Sequence, residues 1–162
     1  LDISDEALKY ADNFEIKICD IEKESIPYPD NYFDAIYSKS FVEHLHDPGK
    51  FFSEAKRVLK PGGILITLVP DWEANWKIYY DDMTHRTPFT KISLEDAYKI
   101  YGFESVNILT FRQLPLVWKF PVLNFFCYFI SHFYTLRSPL MKSKFLRFSK
   151  ELMILGHGKK EA

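Results

Sequence analysis

The sequence predicts an α/β fold with a parallel sheet, and three observations support this prediction. Segments with strand-like and helix-like spacing of apolar residues alternate along the 162 residues, which is typical of βαβ units. Residues 64–70 (ILITLVP) form an apolar run, as expected for a strand that is buried on both faces. Acidic residues follow the first strand-like segments, at the end of the sheet where α/β proteins bind ligands.

The first part of the chain contains two strand-like segments separated by a helix. Residues 1–3 have the composition of the end of a buried strand, and residues 14–19 (FEIKIC) alternate as a strand does. Between them, residues 4–12 predict a helix that begins at the N-cap Ser4, because the two acidic residues that follow Ser4 complement the helix dipole.

A strand, a helix and a second strand follow. Residues 33–38 (FDAIYS) predict a strand after the turn-forming residues 26–32. Asp47 followed by Pro48 indicates the start of a helix, because proline is favoured in the first helical turn. The sequence KPGG at residues 60–63 ends that helix before the apolar strand.

The second half of the chain continues the alternation and then interrupts it. Ser93 resembles the start of a capping box, so a helix is expected from Ser93 to Gly102. Residues 103–111 predict the next strand. An aromatic-rich insertion at residues 113–147 then precedes a closing strand at residues 151–158.

The insertion divides the chain into a main part, a helical insertion, and a closing strand with a tail, at residues 1–112, 113–147 and 148–162. Within it, residues 120–136 carry no formal charge and predict a helix with a wide apolar face. Three interpretations remain open: a lid or homodimer contact, peripheral membrane contact through residues 120–150, or a membrane span.

Charge and cysteine usage limit the partners and the compartment. The formal net charge of −1 gives no support for a nucleic-acid partner. Residues 113–162 carry eight basic and two acidic residues, which indicates either a surface facing phosphate or membrane, or scattered solvated lysines. Cys19 and Cys127 have no metal-type spacing, so we expect buried thiols in a reducing compartment and a cytoplasmic protein, with association at the inner face of the membrane as the alternative.

Carboxylates at the ends of consecutive strands point to a nucleoside. Asp2 and Asp20 each follow a strand-like segment, and Ser38 follows a third. A carboxylate offers two oxygens in one plane and can accept hydrogen bonds from both hydroxyls of a ribose. Asp20 could accept from an adenine amino group, with the backbone of Ile21 beside the ring. The alternative is that each aspartate caps a helix or a turn.

Residues 26–70 resemble the core of class I S-adenosylmethionine-dependent methyltransferases of type 11. The resemblance rests on the order of four features: the turn PDNYFD, a strand, a loop with Glu-His, and a helix that ends RVLKPGG before an apolar strand. It extends from Leu1 to about Phe111 and implies a Rossmann-like sheet with S-adenosylmethionine as the cofactor. It also implies that six residues contact or border that cofactor, namely Asp2, Ile3, Asp20, Ile21, Ser38 and Ser40.

The first strand of that family and its glycine-rich loop have no counterpart in the sequence. The loop brings backbone amides close to the methionine part of the cofactor, as only glycine allows, and the first strand is central in the sheet of the family. We therefore expect an N-terminally truncated fragment, whose sheet lacks its central strand and which by itself binds the cofactor weakly or not at all.

Histidines after the fourth and fifth strands of that family are candidates for acceptor chemistry. An oxygen acceptor must lose its proton, usually to His, Asp or Glu, and the candidates are His44, His85 and Asp82. Asp82 and His85 are spaced as a base and the group that orients it. Two residues fall short of the three or four ligands of a typical metal site, so no metal is predicted. The alternative is that the loop at 81–90 only satisfies its own backbone.

The function predicted from the sequence is methyl transfer to a small acceptor, with a hydroxyl of a sugar or a lipid-linked glycan as the favoured acceptor. One alternative is a non-catalytic, methyltransferase-like binding or scaffold protein. Another is a nucleotide-dependent oxidoreductase, since an acidic strand end also suits a nicotinamide ribose, although the PDNYFD and KPGG elements argue against it.

Overall fold

The structure, a computed structural model, describes residues 1–10, 14–133, 148–149 and 151–162. Its sheet contains the strands β1 (Phe33–Lys39), β2 (Leu59–Pro70), β3 (Phe103–Phe111) and β4 (Met153–Lys160), in the order β1-β2-β4-β3. The helices are α1 (Pro48–Val58), α2 (Trp72–Asn75), α3 (Lys91–Ile100), α4 (Pro115–Lys119) and α5 (Asn124–Phe133). Short 3₁₀ helices lie at Asp5–Tyr10, Val42–His44, Tyr79–Asp81 and Pro121–Leu123. The predicted α/β class is confirmed.

One strand runs against the predicted parallel direction. β1 and β2 are parallel, with Ile36 opposite Leu65, whereas β4 is antiparallel to both β2 and β3. The last residue of β3, Phe111, pairs with the first residue of β4, Met153. The chain therefore leaves β3 and enters β4 at the same end of the sheet, so β4 runs antiparallel to β3. The predicted parallel direction is wrong for this strand.

The core lies where α1 and α3 pack on the sheet. Phe52 and Tyr98 are fully buried and contact each other edge to face, with ring centroids 5.3 Å apart. The ring of Tyr98 lies directly over β4, where a Cβ atom on Gly156 or Gly158 would come within 3.0 Å of it. These glycines allow the close approach of helix and strand, which larger residues would prevent.

The N-terminal segment differs from the prediction. Only Ile18 of residues 14–19 pairs, in an isolated parallel bridge with Asp2, so the predicted strand does not form. No strand formed by the described residues lies between this bridge and β1. The alternating residues 14–19 therefore have no neighbouring strand with which to form a ladder of hydrogen bonds. The helix predicted from residue 4 is a 3₁₀ helix at Asp5–Tyr10, and its predicted last residues fall outside the described part of the chain.

The starts of α3 and β2 differ from the predicted positions, and local contacts explain both differences. Asp47 caps α1 as predicted, and its side chain accepts a hydrogen bond from the Gly49 amide at 2.9 Å. The N-cap of α3 is Thr90 and not Ser93, because Ser93 is the third residue of the helix and its side chain closes the capping box by accepting from the Thr90 amide. β2 begins at Leu59, before the predicted residue 64, because an irregularity in its pairing with β1 accommodates the intervening turn.

The predicted helix of the insertion is divided. α4 is followed by a 3₁₀ helix at Pro121–Leu123 and then by α5, and residues 134–147 of the insertion lie outside the described part of the chain. A small cluster of buried side chains (Leu114, Val117 and Cys127) packs α4 and α5 together. In the described chain, no helix has the length and apolar character that crossing a bilayer requires.

Candidate active site

Two cavities meet at the carboxyl ends of β1 and β2. One, the N-terminal cleft, has a volume of about 600 Å³ and lies between the N-terminal segment and the open edge of β1. The other, the histidine cavity, has a volume of about 700 Å³ and includes His44 and His85 in its wall. Lys39 and Ser40 line both cavities, so the two cavities adjoin each other at these residues.

Five of the six predicted cofactor residues line the N-terminal cleft, namely Asp2, Ile3, Ile21, Ser38 and Ser40. One oxygen of the exposed Asp2 carboxylate accepts a hydrogen bond from the Ser4 amide at 2.8 Å, which leaves the other oxygen for a ligand. The hydroxyl of Ser38 is buried and has no hydrogen-bond partner among the described residues. A buried hydroxyl without a partner is costly, so Ser38 is suited to a ligand in this cleft.

Asp20 is the predicted cofactor residue that does not line the cleft. Its carboxylate accepts a hydrogen bond from the Glu22 amide at 3.1 Å and forms an ion pair with Lys23 at 2.7 Å. The bond to the Lys23 ammonium lowers the pKa of Asp20. The structure therefore places Asp20 in a turn beside the cleft, and its contact with a ligand stays a prediction.

The wall between the cavities has an unusual backbone. Ser40 has a φ of 47°, in the left-handed region that residues other than glycine seldom adopt. Its amide donates to the Leu68 carbonyl at 2.9 Å, which fixes the turn to β2. Strained backbone held by its surroundings is common at ligand sites, and here the strained residue stands between two cavities.

His85 reaches the histidine cavity from the loop after β2, as the sequence predicted for residues 81–90. Its Nδ1 lies 2.6 Å from the Tyr79 carbonyl oxygen. A carbonyl can only accept, so Nδ1 carries the proton and Nε2 carries the lone pair. The ring also packs against Tyr79, with centroids 4.4 Å apart, and His85 is held in one tautomer and orientation.

His44 is fixed in a similar way through a short chain of hydrogen bonds. The Thr84 hydroxyl donates to Asp82 at 2.5 Å, and His44 Nδ1 lies 2.9 Å from the same hydroxyl oxygen. With the Thr84 proton directed to Asp82, His44 Nδ1 is the donor and its Nε2 is left with the lone pair. The bonds from Thr84 lower the pKa of Asp82. Asp82 lies 4.0 Å from His85 Nε2, too far for a direct hydrogen bond.

Glu43 is the residue of this site that the sequence did not single out. Its side chain is 1% exposed, and neither carboxylate oxygen has a hydrogen-bond partner of normal geometry among the described residues. Burial raises the pKa of Glu43 to about 7, against the smaller, opposite effect of nearby backbone amides. Glu43, His44 and His85 each bring one potential ligand atom, a carboxylate oxygen or a ring nitrogen, to within 4.8 Å of the others.

Long-range contacts explain why Glu43 is buried. The Glu43 carbonyl accepts hydrogen bonds from the amides of Arg86 at 2.8 Å and Thr87 at 3.0 Å. The Thr87 hydroxyl donates to the Leu45 carbonyl at 2.9 Å. These bonds dock the loop at 81–90 onto the 3₁₀ helix Val42–His44. The only sequence signal was the adjacent Glu-His pair, noted as part of the resemblance.

Comparison with known proteins confirms the predicted resemblance. Residues 1–67 match the family described as a methyltransferase domain. The chain is 33% identical over 91 residues to an uncharacterized protein of Methanocaldococcus jannaschii, a match that covers 56% of this chain and 44% of that protein. It is 32% identical over 89 residues to the ubiquinone/menaquinone biosynthesis C-methyltransferase of Cupriavidus taiwanensis, which covers 55% and 29% respectively.

The fold agrees with this assignment. An S-adenosylmethionine-dependent methyltransferase of Archaeoglobus fulgidus superposes with a TM-score of 0.66 at 20% identity, over 98% of this chain and 74% of that one. The described fold is therefore that of class I methyltransferases. The matched part of this chain spans less than half the length of the curated relatives, from 44% down to 21% for the first three.

Proposed function

We propose that this chain, which carries methyltransferase-domain sequence on a class I methyltransferase fold, serves S-adenosylmethionine-dependent methyl transfer to a small acceptor. The cofactor is assigned to the N-terminal cleft and the acceptor to the histidine cavity. One observation carries this assignment: Lys39 and Ser40 line both cavities. A methyl group can be transferred only between groups held next to each other and in line.

The residues of the N-terminal cleft suit the cofactor. The Asp2 carboxylate is proposed to accept hydrogen bonds from the ribose hydroxyls, and Ile3 and Ile21 offer apolar surface to the adenine. The Ser38 hydroxyl, which lacks a partner among the described residues, and Ser40 are proposed to border the methionine part. Asp20 is proposed to contact the adenine amino group from the neighbouring turn. The bound cofactor supplies an electrophilic methyl group.

The residues of the histidine cavity suit an acceptor that must lose a proton. His44 and His85 present Nε2 lone pairs, and their ring centroids are 4.9 Å apart. Asp82 is proposed to hold His44 in place through Thr84. Together these groups are proposed to prepare the acceptor hydroxyl, because its proton has to leave as the methyl group arrives.

The favoured acceptor is a sugar or lipid-linked glycan hydroxyl. A quinone-like ring is a second candidate, because one relative is named for ubiquinone and menaquinone biosynthesis. Trp118, Phe125 and Phe126 on α4 and α5 are each more than half exposed, and exposed apolar surface of this kind favours a lipid-soluble acceptor or peripheral membrane contact. A lid or homodimer contact for the same surface stays a prediction.

Two measurements on the protein encoded by the full reading frame test the proposal. Calorimetry with S-adenosylhomocysteine should show one binding site, and no binding at millimolar ligand would favour the non-catalytic scaffold instead. Incubation with S-adenosylmethionine and either lipid-linked glycans or quinones should release S-adenosylhomocysteine with one of the two. Turnover with quinones alone would replace the glycan assignment but keep the reaction.

A further inference from the structure

We propose that Glu43, His44 and His85 form a binding site for one divalent transition-metal cation, zinc or a neighbouring first-row metal, at the wall of the histidine cavity. Two imidazoles and one carboxylate are the donor set that zinc and iron(II) take in sites that keep a coordination position open. Mg²⁺ and Ca²⁺ prefer oxygen ligands, so this set favours a transition metal over either of them.

The distances are close to those that a cation needs. One potential ligand atom from each residue, a carboxylate oxygen or a ring nitrogen, lies within 4.8 Å of the other two, and His44 Nε2 is 3.9 Å from a Glu43 carboxylate oxygen. With metal–ligand bonds of about 2.0–2.1 Å, ligand atoms of a tetrahedral site lie roughly 3.4 Å apart. Side-chain rotations that move the ligand atoms by about one ångström would close the site around an ion without any change in the backbone.

Both histidines are already oriented as metal ligands are. A ligating histidine almost always donates its other ring N–H to a carbonyl or carboxylate, which fixes the tautomer and the ring. His85 donates from Nδ1 to the Tyr79 carbonyl, and His44 donates to Thr84, which in turn donates to Asp82. In each ring the nitrogen left with a lone pair is Nε2.

The buried Glu43 carboxylate is the independent observation. Its side chain is 1% exposed, and neither oxygen has a hydrogen-bond partner of normal geometry in the described structure. A buried carboxylate without a partner is destabilising unless it is neutralised or bound to a cation. A cation among Glu43, His44 and His85 would remove this cost and would use the oxygens that the described residues leave without a partner.

A cation at this site also indicates the chemical class of the acceptor, an inference that rests on the proposed function. Its open coordination position would take a hydroxyl oxygen of the acceptor and lower the pKa of that hydroxyl. The O–H bond breaks and the proton passes to solvent. The oxygen then forms a bond to the methyl carbon while the sulfonium–methyl bond breaks to leave a thioether. The acceptor is thus a hydroxyl compound that can ligate a metal.

Metal binding itself tests the inference without any turnover. The protein is stripped with a chelator and titrated with zinc chloride by calorimetry, where one site with micromolar or tighter affinity is expected. Since loss of an outer partner of a ligand costs about 10- to 100-fold in affinity, Glu43→Gln and His85→Ala should each cost at least as much. Thr84→Val should cost about 10-fold, because it removes the support of His44.

His46→Ala is the matched control, because His46 is exposed and lies two residues from His44 without lining the cavity. Its zinc affinity should equal that of the wild type. Circular dichroism checks each variant for folding. If a ligand variant loses its fold, the cobalt(II) absorption of the wild type decides: strong visible bands indicate a four-coordinate site, and the weak bands of the aqueous ion contradict the inference.

Failure of this inference can be told apart from failure of the proposed function. Zinc that binds the wild type and Glu43→Gln equally, or that does not bind at all, overturns the cation site. If S-adenosylhomocysteine still binds in that case, the methyltransferase assignment stands. Zinc binding without any S-adenosylhomocysteine binding would keep the cation site and remove its proposed role in methyl transfer.

Discussion

The N-terminal cleft and the histidine cavity share a wall but differ in what holds their side chains. In the histidine cavity, Glu43 and Thr87 belong to distant parts of the chain that are joined by hydrogen bonds. In the N-terminal cleft, Asp2 is joined to residues 17–19 by two backbone bonds, and Ile3 is 68% exposed. The proposed acceptor side is thus preorganised by long-range contacts, whereas Asp2 and Ile3 on the proposed cofactor side are joined to the rest of the cleft by one short bridge.

This difference has a consequence for mutation. A change in a preorganised cavity alters the rate of the chemical step, because catalysis depends on groups held in place before the reaction. A change in the loosely held cleft alters affinity for the ligand and little else. Four substitutions test whether the two cavities differ in this way.

The largest effect is expected for His85→Ala. The His85 Nε2 lone pair is proposed to prepare the acceptor hydroxyl, either directly or by holding the cation that binds it, so its loss should lower the rate of methyl transfer by about 100-fold or more. Single-turnover kinetics on the full protein measure this rate, and calorimetry should show S-adenosylhomocysteine affinity within twofold of the wild type. An equal loss in affinity and rate would contradict the division of roles between the two cavities.

Arg57→Lys tests what holds the N-terminal segment. The Arg57 guanidinium donates to the carbonyls of Ile26 and Tyr28 and pairs with Glu54 at 2.8 Å. Lysine cannot make this fork of bonds, and since hydrogen bonds to charged groups contribute about 1.5–3 kcal/mol, we expect a loss of about 1.5 kcal/mol in the free energy of unfolding. Urea denaturation measures this loss. Lys99→Ala, which breaks only an exposed pair, is the control.

The same pair predicts a pH dependence. The bond from Arg57 lowers the folded-state pKa of Glu54 below its ordinary value of 4.5. The stabilisation is therefore present above the unfolded-state pKa and is lost as the pH falls through the folded-state pKa. The difference in unfolding free energy between wild type and Arg57→Lys should shrink below about pH 4.5. A difference that stays constant down to pH 3 would assign the effect to the carbonyl bonds alone.

Asp2→Ala should weaken ligand binding and leave stability unchanged. Loss of a charge-assisted hydrogen bond to the ribose is expected to raise the dissociation constant of S-adenosylhomocysteine by about 10-fold. Because Asp2 is exposed, the unfolding free energy should change by less than about 0.5 kcal/mol. Asp34→Asn is the control and should bind as the wild type does, because Asp34 lies in β1, pairs with Lys60 and does not line the cleft.

Ser38→Ala is the smallest expected effect and the sharpest test of the cleft. Removing a buried hydroxyl without a partner should leave the ligand-free protein as stable as the wild type or up to about 1 kcal/mol more stable. Affinity for S-adenosylhomocysteine should fall at the same time. Thermal denaturation with and without ligand measures both, and a less stable ligand-free protein would show that Ser38 has a structural partner.

The elements that the sequence predicted well are those defined by local chemistry. Asp47 and Pro48 start α1, and the apolar run at 64–70 lies in β2, although β2 also takes in the KPGG residues that were predicted to separate it from the helix. The strand predicted at 14–19 had the right alternation, but a strand also needs a neighbour to pair with. The direction of β4 depends on the end of the sheet at which the chain enters it after β3. The local pattern of apolar residues does not encode that end.

The site shows the same division. Asp2, His44 and His85 could be selected from their types and from the strands they follow. Glu43 could not, because an acidic residue in a predicted loop is usually exposed. Its burial depends on Arg86 and Thr87, more than 40 residues later in the chain, whose amides bond to the Glu43 carbonyl. A contact at that sequence separation leaves no periodic or local signal.

The shared wall at Lys39 and Ser40 offers a route by which binding in one cavity can affect binding in the other. Because the strained turn at Ser40 borders both, any shift that it makes to fit one ligand also changes the shape offered to the other. A coupling of this kind changes the two affinities by the same factor in both directions. Measured together, the two affinities would show whether this chain takes its ligands independently or as a cooperative pair.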